Sequence, residues 1–241
     1  MKHLTHWPLC AVALLAPLPA TSAEESPWSF DVSVYMLALG ISGDLGIGPV
    51  TAGIDVNVDD VLNNLDFGAM GSVRVGYGPW ALTTEVLYMG LSGSRNSINV
   101  EMDQLLLEPT LTYRVSKYVE PLAGVRYNNI WGELSGPGIL PVPRLESGTQ
   151  DWWDPIVGAN LTLPFGECYS LNLRGDIGGF GVGSDLTWQL FPYVGWRFAD
   201  WGALQVGYRW VYMDYETGSG ADRFSYDLLN QGAQIGITIS F

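Results

Sequence analysis

Residues 232–241 read Gly-Ala-Gln-Ile-Gly-Ile-Thr-Ile-Ser-Phe, in which small or polar residues alternate with apolar ones without a break. Successive side chains of a β-strand point to opposite faces, so this stretch predicts a strand with one apolar face and one polar face. The apolar face consists of Ala233, Ile235, Ile237, Ile239 and Phe241. Such a strand fits a sheet that has apolar surroundings on one side and a hydrophilic interior on the other.

The same alternation recurs along the chain and predicts ten strands, with eight as the alternative number. The predicted strands are 28–39, 67–77, 80–91, 105–113, 118–131, 152–163, 169–177, 186–198, 204–214 and 226–241. Their connections alternate in length: those near 78–80, 115–118, 164–168 and 199–202 are short, whereas 40–66, 92–103, 132–151 and 215–225 are long. Strands of about 9–11 residues with alternately short and long connections are typical of membrane barrels. The sequence therefore predicts an all-β fold, a transmembrane antiparallel up-and-down β-barrel.

The amino-terminal segment predicts export from the cytoplasm. Residues 1–23 combine a basic start at Lys2, an apolar run and a small-residue site, which indicates a secretory signal peptide cleaved before Glu24. Residues 24–241 then form one barrel domain in the outer membrane of a Gram-negative cell envelope. Its outward face would contact outer-membrane lipid.

Charge excludes nucleic acid as a partner. Loss of Lys2 with the signal leaves 10 basic residues against 25 acidic ones, a formal charge of −15. Phosphate binding needs a basic face, which this chain lacks. An acidic balance fits solvated loops at a cell surface.

The first long loop contains a helical pattern. Val58, Val61, Leu62 and Leu65 recur at helical spacing, and Asn57 can cap the segment. The pattern predicts a short amphipathic helix in the first outer loop, which forms a lid over the barrel mouth. A gate or a recognition element is the alternative.

The predicted inward faces carry charges of both signs, which indicates a lumen lined by ion pairs. Because an unpaired buried charge is very costly, these residues are expected to pair. The candidate lumen residues are Arg74, Glu85, Glu108, Arg126, Asp154, Arg174, Asp176 and Arg209.

Catalysis is not expected. The chain has two histidines, His3 and His6, and both lie in the predicted signal peptide. A Ser-His-Asp arrangement or a histidine-ligated metal site is therefore excluded in the processed chain. We assign no catalytic, cofactor-binding or metal-binding residue.

Several stretches resemble a group of small proteobacterial outer-membrane β-barrel proteins of unsettled role. They are 61–67, 174–185, 207–209 and the carboxyl-terminal strand 236–241. The resemblance implies the fold and the location, and it carries over no functional residue. The closing strand, which ends at Phe241, is expected to engage the barrel-assembly machinery.

Two functions remain open from the sequence. One is a narrow, porin-like channel for a small solute, with the ion-paired lumen as its polar lining. The other is a structural or surface-interaction barrel with a plugged lumen, which acts through its outer loops on an unknown surface ligand.

Overall fold

The structure is a computed structural model that describes residues 27–63, 65–95, 98–135 and 148–241. The predicted signal peptide, residues 1–23, lies outside the described residues. Among the residues that are described, no helix is long and apolar enough to cross a membrane.

The described chain contains eleven strands, one short α-helix and one 3₁₀ turn, Gly220–Asp222, between the last two strands. In order the strands and the α-helix are β1 (Trp28–Ile47), β2 (Val50–Val56), α1 (Val58–Asn63), β3 (Leu65–Tyr77), β4 (Trp80–Arg95), β5 (Ile98–Tyr113), β6 (Val119–Ser135), β7 (Gly148–Phe165), β8 (Tyr169–Gly179), β9 (Leu186–Ala199), β10 (Gly202–Thr217) and β11 (Phe224–Ser240).

Ten of these strands form a closed antiparallel barrel. β3 to β11 pair with their neighbours in chain order, and β11 closes on β1 from Asp31↔Ser240 to Ile47↔Phe224. Tight connections join β3–β4, β5–β6, β7–β8 and β9–β10 at one end of the barrel, here called the turn end. The opposite end, which carries the β1–β2 hairpin and α1, is the loop end. The predicted ten-stranded antiparallel barrel with a short helix is confirmed.

The strands at the loop end are longer than the sequence predicted. Segments 92–103 and 215–225, both predicted as long loops, belong mainly to β4, β5, β10 and β11. Register pairs such as Arg95↔Ile98 and Thr217↔Phe224 continue those hairpins almost to their tips. The prediction was wrong there because the hydrogen bonds of a strand ladder are made by the backbone. Polar residues can therefore continue a hairpin into water beyond the apolar band.

The wall is split between β1 and β3. Their ladder runs from Trp28↔Tyr77 to Val34↔Gly71, and the β1–β2 ladder begins only at Ile41↔Val56. Within the described residues, 35–40 of β1 and 65–70 of β3 are not registered against each other. α1 contacts β1 beside this split.

The exterior is apolar between two rows of aromatic residues. At the turn end, exposed rings pair across strands, as in Trp28–Tyr77 at 4.8 Å and Trp80–Tyr113 at 4.6 Å between centroids. Toward the loop end, Tyr127 pairs with Trp153 at 4.5 Å. Exposed aliphatic side chains fill the band between the rows: Leu82, Val86, Leu111, Val157, Leu161, Leu171, Leu190, Val194, Val206, Ile235 and Ile237.

Glycine is required where neighbouring strands approach most closely. A Cβ on Gly232 would lie 1.8 Å from the carbonyl oxygen of Ala38 on β1. Because that oxygen belongs to the backbone of the closing ladder, it cannot move aside cheaply. Gly175, in contrast, has only ordinary contacts, the nearest at 3.7 Å.

Candidate functional site

Six ionised side chains meet halfway along the barrel interior. We call this group the central charge cluster; its members are Glu85, Glu108, Arg126, Arg174, Asp176 and Arg209. They come from five strands, β4, β5, β6, β8 and β10, and each side chain is at most 13% exposed. Alternate residues of each strand point into the barrel, and all six of these residues occupy such inward positions.

Arg126 is the most deeply enclosed member, with no exposed surface. Its Nε donates to Glu108 Oε2 at 2.7 Å, and its Nη2 donates to Asp176 Oδ1 at 2.7 Å. Its Nη1 donates to the hydroxyl oxygen of Thr187, again at 2.7 Å. One guanidinium therefore joins β5, β6, β8 and β9.

Arg174 and Arg209 complete the cluster around Glu85. Arg174 donates to Glu108 through Nη2 and to Glu85 Oε2 through Nη1 at 3.2 Å. Arg209 Nη2 donates to Glu85 Oε2 at 2.7 Å. The Tyr35 hydroxyl on β1 also donates to Glu85.

The cluster is electrically balanced, with three guanidinium groups against three carboxylates. Each charge has an oppositely charged neighbour, which offsets the cost of removing it from water. Because the side chains reach one another across the lumen, the cluster separates the interior into two halves.

The turn-end half is polar. It encloses a cavity of about 360 Å³, here called the polar chamber, whose walls include Arg74, Glu120 and Thr238. Arg74 Nη2 lies 3.0 Å from Glu120 Oε2, and Arg114 Nε lies 3.1 Å from Glu120 Oε1. Arg74 thus lines this chamber and does not belong to the central charge cluster.

The loop-end half is apolar, which the sequence analysis did not foresee. Its buried side chains form one core: Leu39, Ile41, Val61, Met89, Ile130, Trp152, Val211, Met213, Tyr226 and Leu228. The available signal was 35–41, Tyr-Met-Leu-Ala-Leu-Gly-Ile, which is apolar on both strand faces. A run that is apolar on both faces indicates burial on both sides.

Asp154 lies inside the barrel as predicted, but among the described residues it forms no ion pair and stands outside the cluster, contrary to the expected pairing. Its carboxylate accepts from the Ser184 amide at 2.6 Å, the Ser184 hydroxyl at 2.8 Å and Trp152 Nε1 at 3.1 Å. Arg126 stands opposite Asp154 in the β6–β7 register, yet its guanidinium turns toward Glu108 and Asp176. Asp154 instead anchors the β8–β9 connection to the wall.

The predicted lid segment divides between two elements. α1 begins at Val58 and ends at Asn63, and Asn57 Oδ1 caps its start by accepting from the Asp60 amide at 3.0 Å. Leu65 lies beyond the helix and begins β3. Val61 is 3% exposed and packs into the loop-end core. The side chains of Leu62 and Leu65 lie outside the described set. α1 is therefore attached to the barrel through Val61.

Comparison with known proteins gives similarity of fold. No family model and no curated protein sequence matches the chain. Among solved structures, the chain is similar to Ail, the attachment invasion locus protein of Yersinia pestis, with 7% identity, 90% of this chain and 99% of that chain covered, and a TM-score of 0.39.

Two further solved structures have comparable scores. The translocator domain of the autotransporter NalP from Neisseria meningitidis has 10% identity, covers 91% of this chain and 90% of its own, and has a TM-score of 0.46. The outer membrane protein AlkL has 15% identity, covers 95% and 97%, and has a TM-score of 0.40. All three comparisons concern the fold alone.

Proposed function

We propose that this protein is an integral outer-membrane β-barrel whose lumen is closed to ions by the central charge cluster. Its exterior supports the membrane location. Exposed aliphatic side chains cover the barrel between two aromatic rows, and an apolar surface of that extent is unfavourable in water. Aromatic rows at both interfaces of an apolar band are typical of outer-membrane barrels.

Tyrosine hydroxyls mark the boundary on the loop-end side. Tyr88 donates to Asp103 Oδ1 at 3.2 Å, and Tyr212 donates to Asp227 Oδ1 at 2.8 Å. Each pair places an aromatic ring below a carboxylate, as expected at a lipid–water interface. The turn end then faces the periplasm, and the loop end faces the outside.

The central charge cluster is the observation that favours the plugged barrel over the narrow channel. Arg126, Glu108 and Asp176 have fully buried side chains, and their charges are balanced only within the whole cluster, in which Arg174 also pairs with both carboxylates. An ion in transit would have to separate these pairs at a depth where water cannot replace them. The predominantly apolar core beyond the cluster adds a second barrier.

Conductance in planar bilayers tests the closed lumen. Purified protein should give no discrete current steps, although the same vesicles contain folded, heat-modifiable barrel on gels. If the wild type gave current steps, and if their ion selectivity changed in Arg74→Glu, a substitution in the polar chamber, the narrow-channel hypothesis would be supported instead. The exposed Arg223→Glu variant serves as the matched charge reversal away from the lumen.

The location is tested by fractionation. The processed chain should sediment with outer membranes and should migrate differently on gels before and after boiling. Recovery of the chain in the aqueous extract with a single gel mobility would refute the proposal.

Assembly through the closing strand is a further part of the proposal. The Phe241 amide donates to the Phe30 carbonyl oxygen at 2.9 Å, while the Phe241 ring remains 78% exposed. An exposed terminal ring is available to the assembly machinery. We expect Phe241→Ser to reduce assembly in cells and to leave folding into short-chain lipid vesicles intact; equal loss in both systems would mean that Phe241 serves stability instead.

The surface-interaction part concerns the loop end, where exposed carboxylates predominate: Asp44, Asp55, Asp59, Asp151, Asp185, Glu216 and Asp222. This charge favours a positively charged partner. Polylysine should bind the barrel in nanodiscs at low salt and dissociate near 0.15 M salt, where the Debye length is about 8 Å. Absence of binding at low salt would contradict this part. No catalysis is proposed, because both histidines precede residue 24.

A further inference from the structure

The loop-end half contains a small cavity against the central charge cluster. This cavity, here called the apolar chamber, has a volume of about 40 Å³. Its walls include Leu37, Leu39, Met70, Met89 and Met213. About 10–15 Å³ on this scale holds one water molecule, so the chamber has room for a few atoms of ligand as it stands. Methionine side chains are flexible and can enlarge it.

Buried polar atoms without partners face the same chamber. Gln189 and Asn230 line it and are 3% and 8% exposed. Within the described part of the chain, Gln189 Nε2 and Asn230 Oδ1 have no hydrogen-bond partner. An unpaired buried polar atom is costly, so a donor and an acceptor left open beside an apolar cavity indicate a ligand that can pair with them.

Charge restricts the polar group of that ligand. Arg209, which also lines the chamber, is already paired with Glu85, at 2.6 Å between Nη1 and Oε1. Because the cluster holds three charges of each sign, a carboxylate in the chamber would add an uncompensated negative charge. A hydroxyl is neutral and can both donate and accept, which matches the open acceptor of Asn230 and the open donor of Gln189.

We propose that the apolar chamber binds a small neutral alcohol, with its hydrocarbon part against the methionine and leucine side chains and its hydroxyl toward Gln189 and Asn230. The split wall supports an apolar ligand. Leu37 and Leu39 lie on one edge of the split and Met70 lies on the other, so the chamber lies directly behind the split. A ligand from the lipid phase would not need to pass the charge cluster.

Methionine methyl NMR on the full barrel in nanodiscs tests this proposal, with 1-hexanol as the probe. The ¹³C-methyl resonances of Met70, Met89 and Met213 should shift saturably with concentration. Met36, which is 73% exposed on the outside, is the internal control, because alcohol dissolved in the bilayer should shift it without saturation.

Two further comparisons separate the hydroxyl from the hydrocarbon part. Gln189→Leu should weaken 1-hexanol binding about 3- to 10-fold, the range for one net hydrogen bond, and should leave n-hexane binding unchanged. Val211→Phe, which fills the chamber from β10, should abolish the saturable shifts at Met89 and Met213.

Saturable shifts that disappear in Val211→Phe and weaken in Gln189→Leu would support the proposal. Linear shifts at all the methionines would overturn it, because the alcohol would then only dissolve in the bilayer. Equal effects of Gln189→Leu on hexanol and hexane would overturn the role of the hydroxyl. The closed lumen is judged separately by conductance, so either conclusion can fail alone.

Discussion

Replacement of Arg126 by methionine is the sharpest test of the central charge cluster. Methionine keeps much of the length of the side chain but removes the guanidinium, which makes three contacts at 2.7 Å, with Glu108, Asp176 and Thr187. Glu108 retains Arg174. Among the described residues, the cationic neighbour that Asp176 retains is Arg174, whose Nε lies 3.4 Å from Oδ2 without a hydrogen bond between these two atoms.

The expected loss of stability follows from that geometry. Removal of one partner from a buried ion pair costs about 3–5 kcal/mol, because the remaining charge is left in a medium that solvates it poorly. Arg126 has no exposed surface, so solvent does not weaken its interactions with Glu108 and Asp176. We therefore expect Arg126→Met to lower the free energy of unfolding by about 3–5 kcal/mol. Arg126→Met with Asp176→Asn should recover part of that loss, because the orphan charge is gone.

Urea unfolding in lipid vesicles, followed by tryptophan fluorescence and by gel mobility, measures these differences. Arg114→Met is the matched control. Its ion pair with Glu120, at 3.1 Å, is solvent-exposed on the arginine side, and exposed pairs contribute at most about 1 kcal/mol. If Arg126→Met lay within 1 kcal/mol of Arg114→Met, the reasoning that buried pairing holds the barrel interior together would be refuted.

Three other substitutions test the wall, the anchor and the exterior. Gly232→Ala should sharply reduce the heat-modifiable fraction, whereas Gly175→Ala should not, because only the former drives a Cβ into the backbone of the neighbouring strand. Asp154→Ala should accelerate hydrogen exchange of the Ser184 amide roughly 5- to 160-fold, corresponding to about 1–3 kcal/mol; an unchanged rate would show that Asp154 is not the anchor. Val206→Arg, on the apolar exterior, should cost about 2–4 kcal/mol in a bilayer and would be nearly neutral if this face contacted water.

The sequence predicted the barrel because each strand separates two different environments. In the carboxyl-terminal half of β11, apolar residues point to the barrel exterior and small or polar residues to the interior, so the period of two is visible in the residues themselves. The inward charges of β8 were predicted by the same rule, and the structure brings Arg174 and Asp176 into one cluster. Alternation alone determines whether a side chain points inward or outward. The barrel and the inward charges of β8 could therefore be predicted without tertiary information.

The same rule could not predict which residue each inward side chain contacts. It also could not predict that the interior changes from polar to apolar along the barrel axis. Asp154 faces inward as predicted, yet its partner, Ser184, is 30 residues away on a connection whose course depends on the whole wall. The apolar loop-end core was missed because Leu37 and Leu39 are apolar on a face that was expected to be polar throughout. The division into polar and apolar halves depends on which heights of different strands coincide, and that is set by the strand stagger of the closed barrel.

The split between β1 and β3 also determines how the barrel should respond to mechanical load. The seam where the last strand meets the first has 17 registered pairs, against seven between β1 and β3. In the proposed bilayer location, backbone hydrogen bonds between strands have no substitute, so the shorter ladder is the weaker line of the cylinder. A pulling force applied across the wall should therefore part the first strand from the third and leave the junction of the chain ends intact.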